Sequence, residues 1–93
     1  MSYLFEWDAG KATLNLRTHG VSFEEASSVF GDSLAILSGD PDHSIGEERL
    51  LLLGVSRKGR LLVVSHVERP PRMRLISARQ ATAGERRQYE QKD

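Results

Sequence analysis

The stretch RLLLLGVSRKGRLLVVSHVE, from Arg49 to Glu68, constrains the fold of this chain more than any other. Two β-rich runs flank Arg57-Lys58-Gly59, and the glycine can take the positive φ that a tight turn needs. The stretch therefore predicts a β-hairpin. Along its second run, alternation puts Arg60, Leu62, Val64, His66 and Glu68 on one face and Leu61, Val63, Ser65 and Val67 on the other. The first of these faces mixes apolar residues with a base, an acid and a cation.

The rest of the chain arranges itself around that hairpin. YLFEW (Tyr3–Trp7) reads as a short strand, and Asp8 can cap a helix through AGKATLNLRTH, with Gly20 as its stop. Ala12, Leu16 and His19 make a thin apolar stripe on that helix. In VSFEEASSVF, Ser22 and Glu25 have the spacing of a capping box, each able to bond the other's free N–H, while Val21 can staple onto Ala26. Phe23, Ala26 and Phe30 fall on one helical face and read as core. A short strand at Leu34–Leu37, a polar loop from Ser38 to Glu48, and the hairpin follow. Pro70-Pro71 turns the chain into a strand over RMRLISAR (Arg72–Arg79). TAGERRQYEQK closes the sequence as a helix, with a second capping-box spacing at Thr82 and Glu85. The order β-α-α-β-β-β-β-α, with helices and strands in separate runs, predicts an α+β fold: an antiparallel meander packed against two N-terminal helices, in a single domain over residues 1–93.

Composition narrows the function. The 93 residues include no cysteine, which excludes disulfides and thiolate chemistry, and no apolar run long enough to span a membrane. The N-terminus is too acidic for a signal peptide, so the cytoplasm is the expected compartment. Net charge is zero, yet residues 1–48 carry two cations against nine acids and residues 49–93 carry eleven against four. Arginine, the dominant cation, grips phosphate with a planar fork. The division suggests a basic surface for a polyanion, or two halves that neutralise each other across the fold. No phosphate-binding, dinucleotide, zinc-protease or serine-hydrolase motif is present.

If the polyanion is RNA, cleavage by the strand's own 2′-OH needs a proton acceptor, a proton donor, and cations where charge builds on the phosphate. Arginines suit the last role. His66 or Glu48 could move protons, and Trp7 or Tyr89 could stack on an unpaired base. Each has a plainer reading: His66 as a structural histidine, Trp7 as a core plug. His43 beside Asp40 and Asp42 looks like a metal cluster, though an aspartate-rich loop is usually just solvated. Strict alternation cannot bring Arg60, Arg74 and Arg79 to one face, because Arg74 falls with Ile76 and Arg79 with Leu75 and Ser77. Strand twist and the position of Arg79 at the strand end allow it to escape that rule.

The phrases FEWD, HGVSFEEA, GEER and ISAR, in this order between Phe5 and Glu90, resemble the BrnT family of toxins from bacterial type II toxin–antitoxin systems. The resemblance implies a RelE-like α+β fold and a ribonuclease that cuts single-stranded RNA without the ribosome. It maps the family pattern onto Trp7, Lys11, Glu48, Arg49, Arg60, His66, Arg74 and Arg79. Glu48, Arg60, His66 and Arg79 are the expected catalytic residues, with Glu48 and His66 both open as general base. Trp7, Lys11, Arg49 and Arg74 are the expected RNA contacts, and neither metal nor cofactor is expected. The implied partner is a BrnA-like antitoxin, expected as a dimer in a heterotetramer that reaches operator DNA only through the antitoxin. The rival reading is a non-catalytic RNA- or protein-binding module. Gly10 and Pro70-Pro71 depart from the family pattern, away from the candidate site.

Overall fold

A computed structural model describes residues 3–44 and 46–91 of the chain. The hairpin forms as its sequence predicts. Strand β3 (Leu50–Val55) pairs antiparallel with β4 (Leu61–Arg69), and the turn between them closes with the Ser56 N–H donating to the Arg60 carbonyl at 2.8 Å. Gly59 takes φ 79° there, a left-handed conformation that explains the glycine. Past Pro70-Pro71, β5 (Arg72–Gln80) returns antiparallel along β4.

The sequence predicts an antiparallel meander over the last four strands and names no partner for the first. Strand β2 (Ile36–Gly39) joins the free edge of β3 antiparallel, but β1 (Leu4–Glu6) pairs parallel with β5, so the five-stranded sheet is mixed, in the order β1-β5-β4-β3-β2. The β2 strand also starts two residues later than Leu34. An Asp32 carboxylate oxygen accepts from the Leu34 N–H at 2.9 Å and holds the chain in a turn there.

Helix α1 (Ala9–His19) starts at Asp8, whose carboxylate accepts from the Lys11 N–H, and ends at Gly20. Its buried side is not the expected stripe. Leu16 is exposed and Ala12 half-buried, while Asn15 is buried. The Asn15 amide donates to the Val21 and Ala78 carbonyls, both at 2.9 Å, and accepts from the Ala78 N–H at 3.1 Å. One polar side chain therefore ties α1 to β5 with its hydrogen bonds satisfied, which removes the cost of burying it. Helix α2 (Phe23–Ser27) is shorter than expected and tightens into a 3-10 turn at Ser28–Gly31. The Ser27 and Ser28 hydroxyls donate back to the Glu24 and Glu25 carbonyls, competing with continuation of the helix.

These elements sit on two faces. Phe23, Ala26 and Val29 pack on Leu52, Leu62, Val64, Leu75 and Ala78, making the main core between α1–α2 and the sheet. Phe23, Leu62 and Leu75 are each worth about 1.5–3 kcal/mol of burial. Gly54 lets the 3-10 turn approach; a Cβ there would lie 2.9 Å from both Val29 Cγ1 and Ala35 Cβ. On the opposite face, Leu53, Leu61 and Val63 form a smaller cluster against Ala81 and Tyr89, beneath α3 (Ala83–Gln91). Tyr89 Oη donates to an Asp32 carboxylate oxygen at 2.6 Å, which pushes the phenol up to about 12. Lys92, the last residue of the expected closing helix, lies outside the described residues. The α+β class holds; among the described residues no helix is long and apolar enough to cross a membrane.

The β4–β5 ladder carries an irregularity. Ser65 pairs with Ser77 but His66 pairs with Leu75, so Ile76 has no partner across the ladder. This β-bulge resets the alternation. Leu75 now shares a face with Ala78, and Arg74 shares the opposite face with Ser77 and Arg79.

Candidate functional site

Helix α3 covers only part of its face of the sheet. The uncovered part follows from register: Ser65 faces Leu51 on β3 and Ser77 on β5, and Arg79 faces Val63. Arg49 enters from the residue just before β3. A 3-10 turn at Pro41–His43 brings Asp40 and His43 to the rim. Together they line an open cleft of about 340 Å³.

Arg79 is held in place. Its two Nη atoms donate to the two Glu85 carboxylate oxygens at 2.8 and 2.9 Å. Glu85 also accepts from the Thr82 N–H at 2.8 Å, while the Thr82 hydroxyl accepts from the Glu85 N–H, so this capping box is complete. The Arg79 hydrogen bonds, ahead of the Thr82 contacts, pull the Glu85 carboxyl from 4.5 to about 2 against a burial effect of opposite sign. Since this folded value lies below the ordinary one, the stabilisation is present above about pH 4.5 and is lost as pH falls toward 2. Among the described residues Arg79 keeps Nε and one Nη2 hydrogen for other acceptors.

Two polar atoms stand out. Arg49 Nε and Ser65 Oγ are both buried with no hydrogen-bond partner among the described residues, and Ser65 is 6 % exposed. Buried donors are nearly always satisfied in folded proteins, so these two atoms, on residues that line the cleft, mark its wall as polar and incompletely bonded. Beside them, His43 Nδ1 lies 3.1 and 3.2 Å from the two Asp40 carboxylate oxygens.

The sheet separates the residues that the sequence grouped. Arg79 and Arg49 share the cleft. Arg60 lies on the helix-covered face, where Nε and Nη2 donate to the two Glu25 oxygens and Nη2 also reaches the Gly20 carbonyl. Glu25 is 1 % exposed, accepts as well from Ser56 Oγ at 2.7 Å, and is held below the usual carboxylate range chiefly by Arg60. It does not reach back to the Ser22 N–H, so the expected first capping box is only half made: Ser22 Oγ accepts from the Glu25 N–H at 3.0 Å. His66, 1 % exposed, sits on the same covered face with its ring edge-on to Phe30. Burial lowers its pKa, against a weaker bond to the Val64 carbonyl. Glu48 is exposed in the loop before β3 and makes no ion pair among the described residues. Trp7 packs edge-on to Phe23, as a core plug does. Lys11 is exposed on α1 and lines a second groove with Ser77. Arg74 pairs with Glu6 at 3.2 Å.

The two charge readings divide the arginines between them. Glu25, Glu47 and Glu6 from the acidic half pair with Arg60, Arg69 and Arg74 from the basic half. The acidic half is therefore threaded through the basic one rather than set apart. Sequence reasoning missed Ser65, Ser77 and the Asp40–His43 pair as cleft residues. Only the Asp40–His43 spacing carried a signal, and it suggested a metal; among the described residues no three such groups come together to hold one.

A family model described as "Ribonuclease toxin, BrnT, of type II toxin-antitoxin system" matches residues 7–85. The fold is similar to the crystal structure of the ribonuclease toxin BrnT of Brucella abortus, with a TM-score of 0.67 and 19 % identity, over 87 % of this chain and 99 % of that one. No curated protein matches the sequence.

Proposed function

This chain belongs to the BrnT family of type II toxin–antitoxin toxins, and from that premise we propose that it is a metal-independent endoribonuclease cutting single-stranded RNA without the ribosome. The observation that carries this reading is the pairing of Arg49 and Arg79 in one open cleft with buried donors left unmet. A phosphodiester suits the two guanidinium groups that line the cleft. Attack by the neighbouring 2′-oxygen crowds negative charge onto the phosphate, and pre-positioned guanidinium groups stabilise that charge without reorganising. Lys11, on the groove that shares Ser77, would extend the basic track along the backbone. In this proposal Arg60 and His66 hold the fold, Arg74 orders the edge strand through Glu6, Trp7 packs the core, and Glu48 lies at the margin of the RNA path.

Membership of such a family implies an antitoxin partner. The finer reading is a BrnA-like antitoxin that covers the cleft as a dimer in a heterotetramer and alone contacts operator DNA, within the cytoplasm. The RelE likeness belongs to the same proposal, supported by a small sheet with its helix pair on one face. Incubating the purified protein with single-stranded RNA in EDTA tests the enzyme. Products ending in 2′,3′-cyclic phosphate are the expected outcome. Intact RNA with salt-sensitive binding would instead favour the non-catalytic module.

A further inference from the structure

We propose that His43, oriented by Asp40, is the group that accepts the 2′-OH proton when RNA is cleaved in the cleft. The inference rests on the ribonuclease reading and adds to it a proton acceptor from outside the sheet. Three observations support it. First, His43 lines the cleft with Arg49 and Arg79, and its side chain is 62 % exposed, so a substrate can reach it. Second, Asp40 engages Nδ1, which fixes the proton there in the neutral ring and leaves Nε2 as the free acceptor. Third, the pair is anchored to the cleft. The Asp40 N–H donates to the Arg49 carbonyl at 2.9 Å, and Ser44 Oγ donates to the Asp40 carbonyl at 2.6 Å, so the backbone carrying the pair is bonded to a cleft arginine.

The other candidates lack one of these properties. His66 is buried behind Phe30 on the opposite face, and His19 lines the α1 groove instead of the cleft. Glu48 is exposed but does not line the cleft. Asp40 contacts His43 on its own turn, and Arg49 before β3 and Arg79 on β5 are the other charged residues lining the cleft.

In the step, Nε2 of neutral His43 takes the 2′-OH proton as the 2′-oxygen forms its bond to phosphorus. The bond from phosphorus to the 5′-oxygen breaks. That oxygen takes a proton from water, and the resulting hydroxide removes the proton from the imidazolium. RNA is thus rearranged to a 2′,3′-cyclic phosphate and a 5′-OH with no net gain or loss of protons. Arg49 and Arg79 carry the charge on the phosphate meanwhile.

The test uses the full chain and an oligodeoxynucleotide containing one ribonucleotide, with the all-deoxy strand as a binding probe. His43→Ala should slow cleavage about 100-fold or more while binding of the all-deoxy strand stays within about threefold. Free imidazole should restore part of the lost rate. Asp40→Asn should lower kcat with KM unchanged, and Asp40→Glu should recover part of it. His43→Ala that cleaves as fast as wild type overturns the inference and leaves the ribonuclease reading standing. Loss of binding in step with cleavage also overturns it, since His43 would then be a contact and not a base. Wild-type protein that cleaves nothing brings down the ribonuclease reading and this inference with it. Circular dichroism of each variant identifies any loss due to unfolding, and in that case His43→Gln takes the place of the alanine variant.

Discussion

The two faces of the sheet use the same residue types for opposite purposes. On the face covered by α1 and α2, Arg60 closes around a buried carboxylate and His66 is enclosed beside Phe30. On the face that α3 only partly covers, Arg79 is held by its partner but keeps donors free, Arg49 has an unmet donor, and His43 meets solvent. The contrast teaches that a sequence's charge inventory says little about which charges are available. Burial and partner choice decide that, and here the described part of α3 leaves one side of its face open.

Substitution at Arg79 should break the contrast most visibly. Arg79→Ala should lower kcat/KM for RNA cleavage by about 100- to 1,000-fold, the usual loss when a pre-positioned donor to the developing charge is removed. Arg79→Lys should recover little of it, because the ammonium cannot hold Glu85 and a phosphate with one fork. Steady-state cleavage assays on folded variants measure this, and wild-type rates in both would place the chemistry elsewhere.

Next in size is Arg60→Ala, which strands Glu25 in the core and should lower Tm by about 10 °C. Below its own melting point, this variant should cleave RNA at close to the wild-type rate. Thermal melts paired with cleavage at low temperature separate the two effects. A folded Arg60→Ala protein without activity would erase the division between the faces. The smallest effect should come from Arg86→Ala on the exposed side of α3, where the nearest acid, Glu90, lies 3.7 Å away and both side chains are mostly exposed. Tm should move by no more than about 2 °C and cleavage by less than about twofold. A large loss there would extend the functional surface onto the helix.

How legible this was in the sequence varies by element. The hairpin, α1 with its Asp8 and Gly20 ends, and the closing helix follow from local signals: turn glycine, cap spacing and periodicity. The parallel pairing of β1 does not, because nothing local to YLFEW specifies which strand it will meet. The helix signals give Asn15 no role and give Glu25 only that of a capping-box partner. Their burial depends on partners 63 and 35 residues away in sequence. In the cleft, Arg49 and Arg79 were legible as cations for a polyanion. Ser65 and Ser77 were not, because a serine in a strand carries no sign of what will stand beside it.

The unpaired Ile76 gives β5 one residue of slack. Upstream of it the odd-numbered residues face the helices, and downstream the even-numbered ones do. A strand that already holds a surplus residue can lose one and keep every side chain on its present face. Deleting Ile76 would leave Met73, Leu75 and Ala78 in the core and Arg74, Ser77 and Arg79 on the cleft side, with a regular ladder in place of the bulge. An insertion at the same point has no such allowance: with the present bulge kept it would turn Leu75 to solvent and Arg74 into the core, and with a regular ladder it would slide both two residues along β4. Length changes in β5 should therefore be tolerated in one direction only, a rule about indels that no substitution at these positions would reveal.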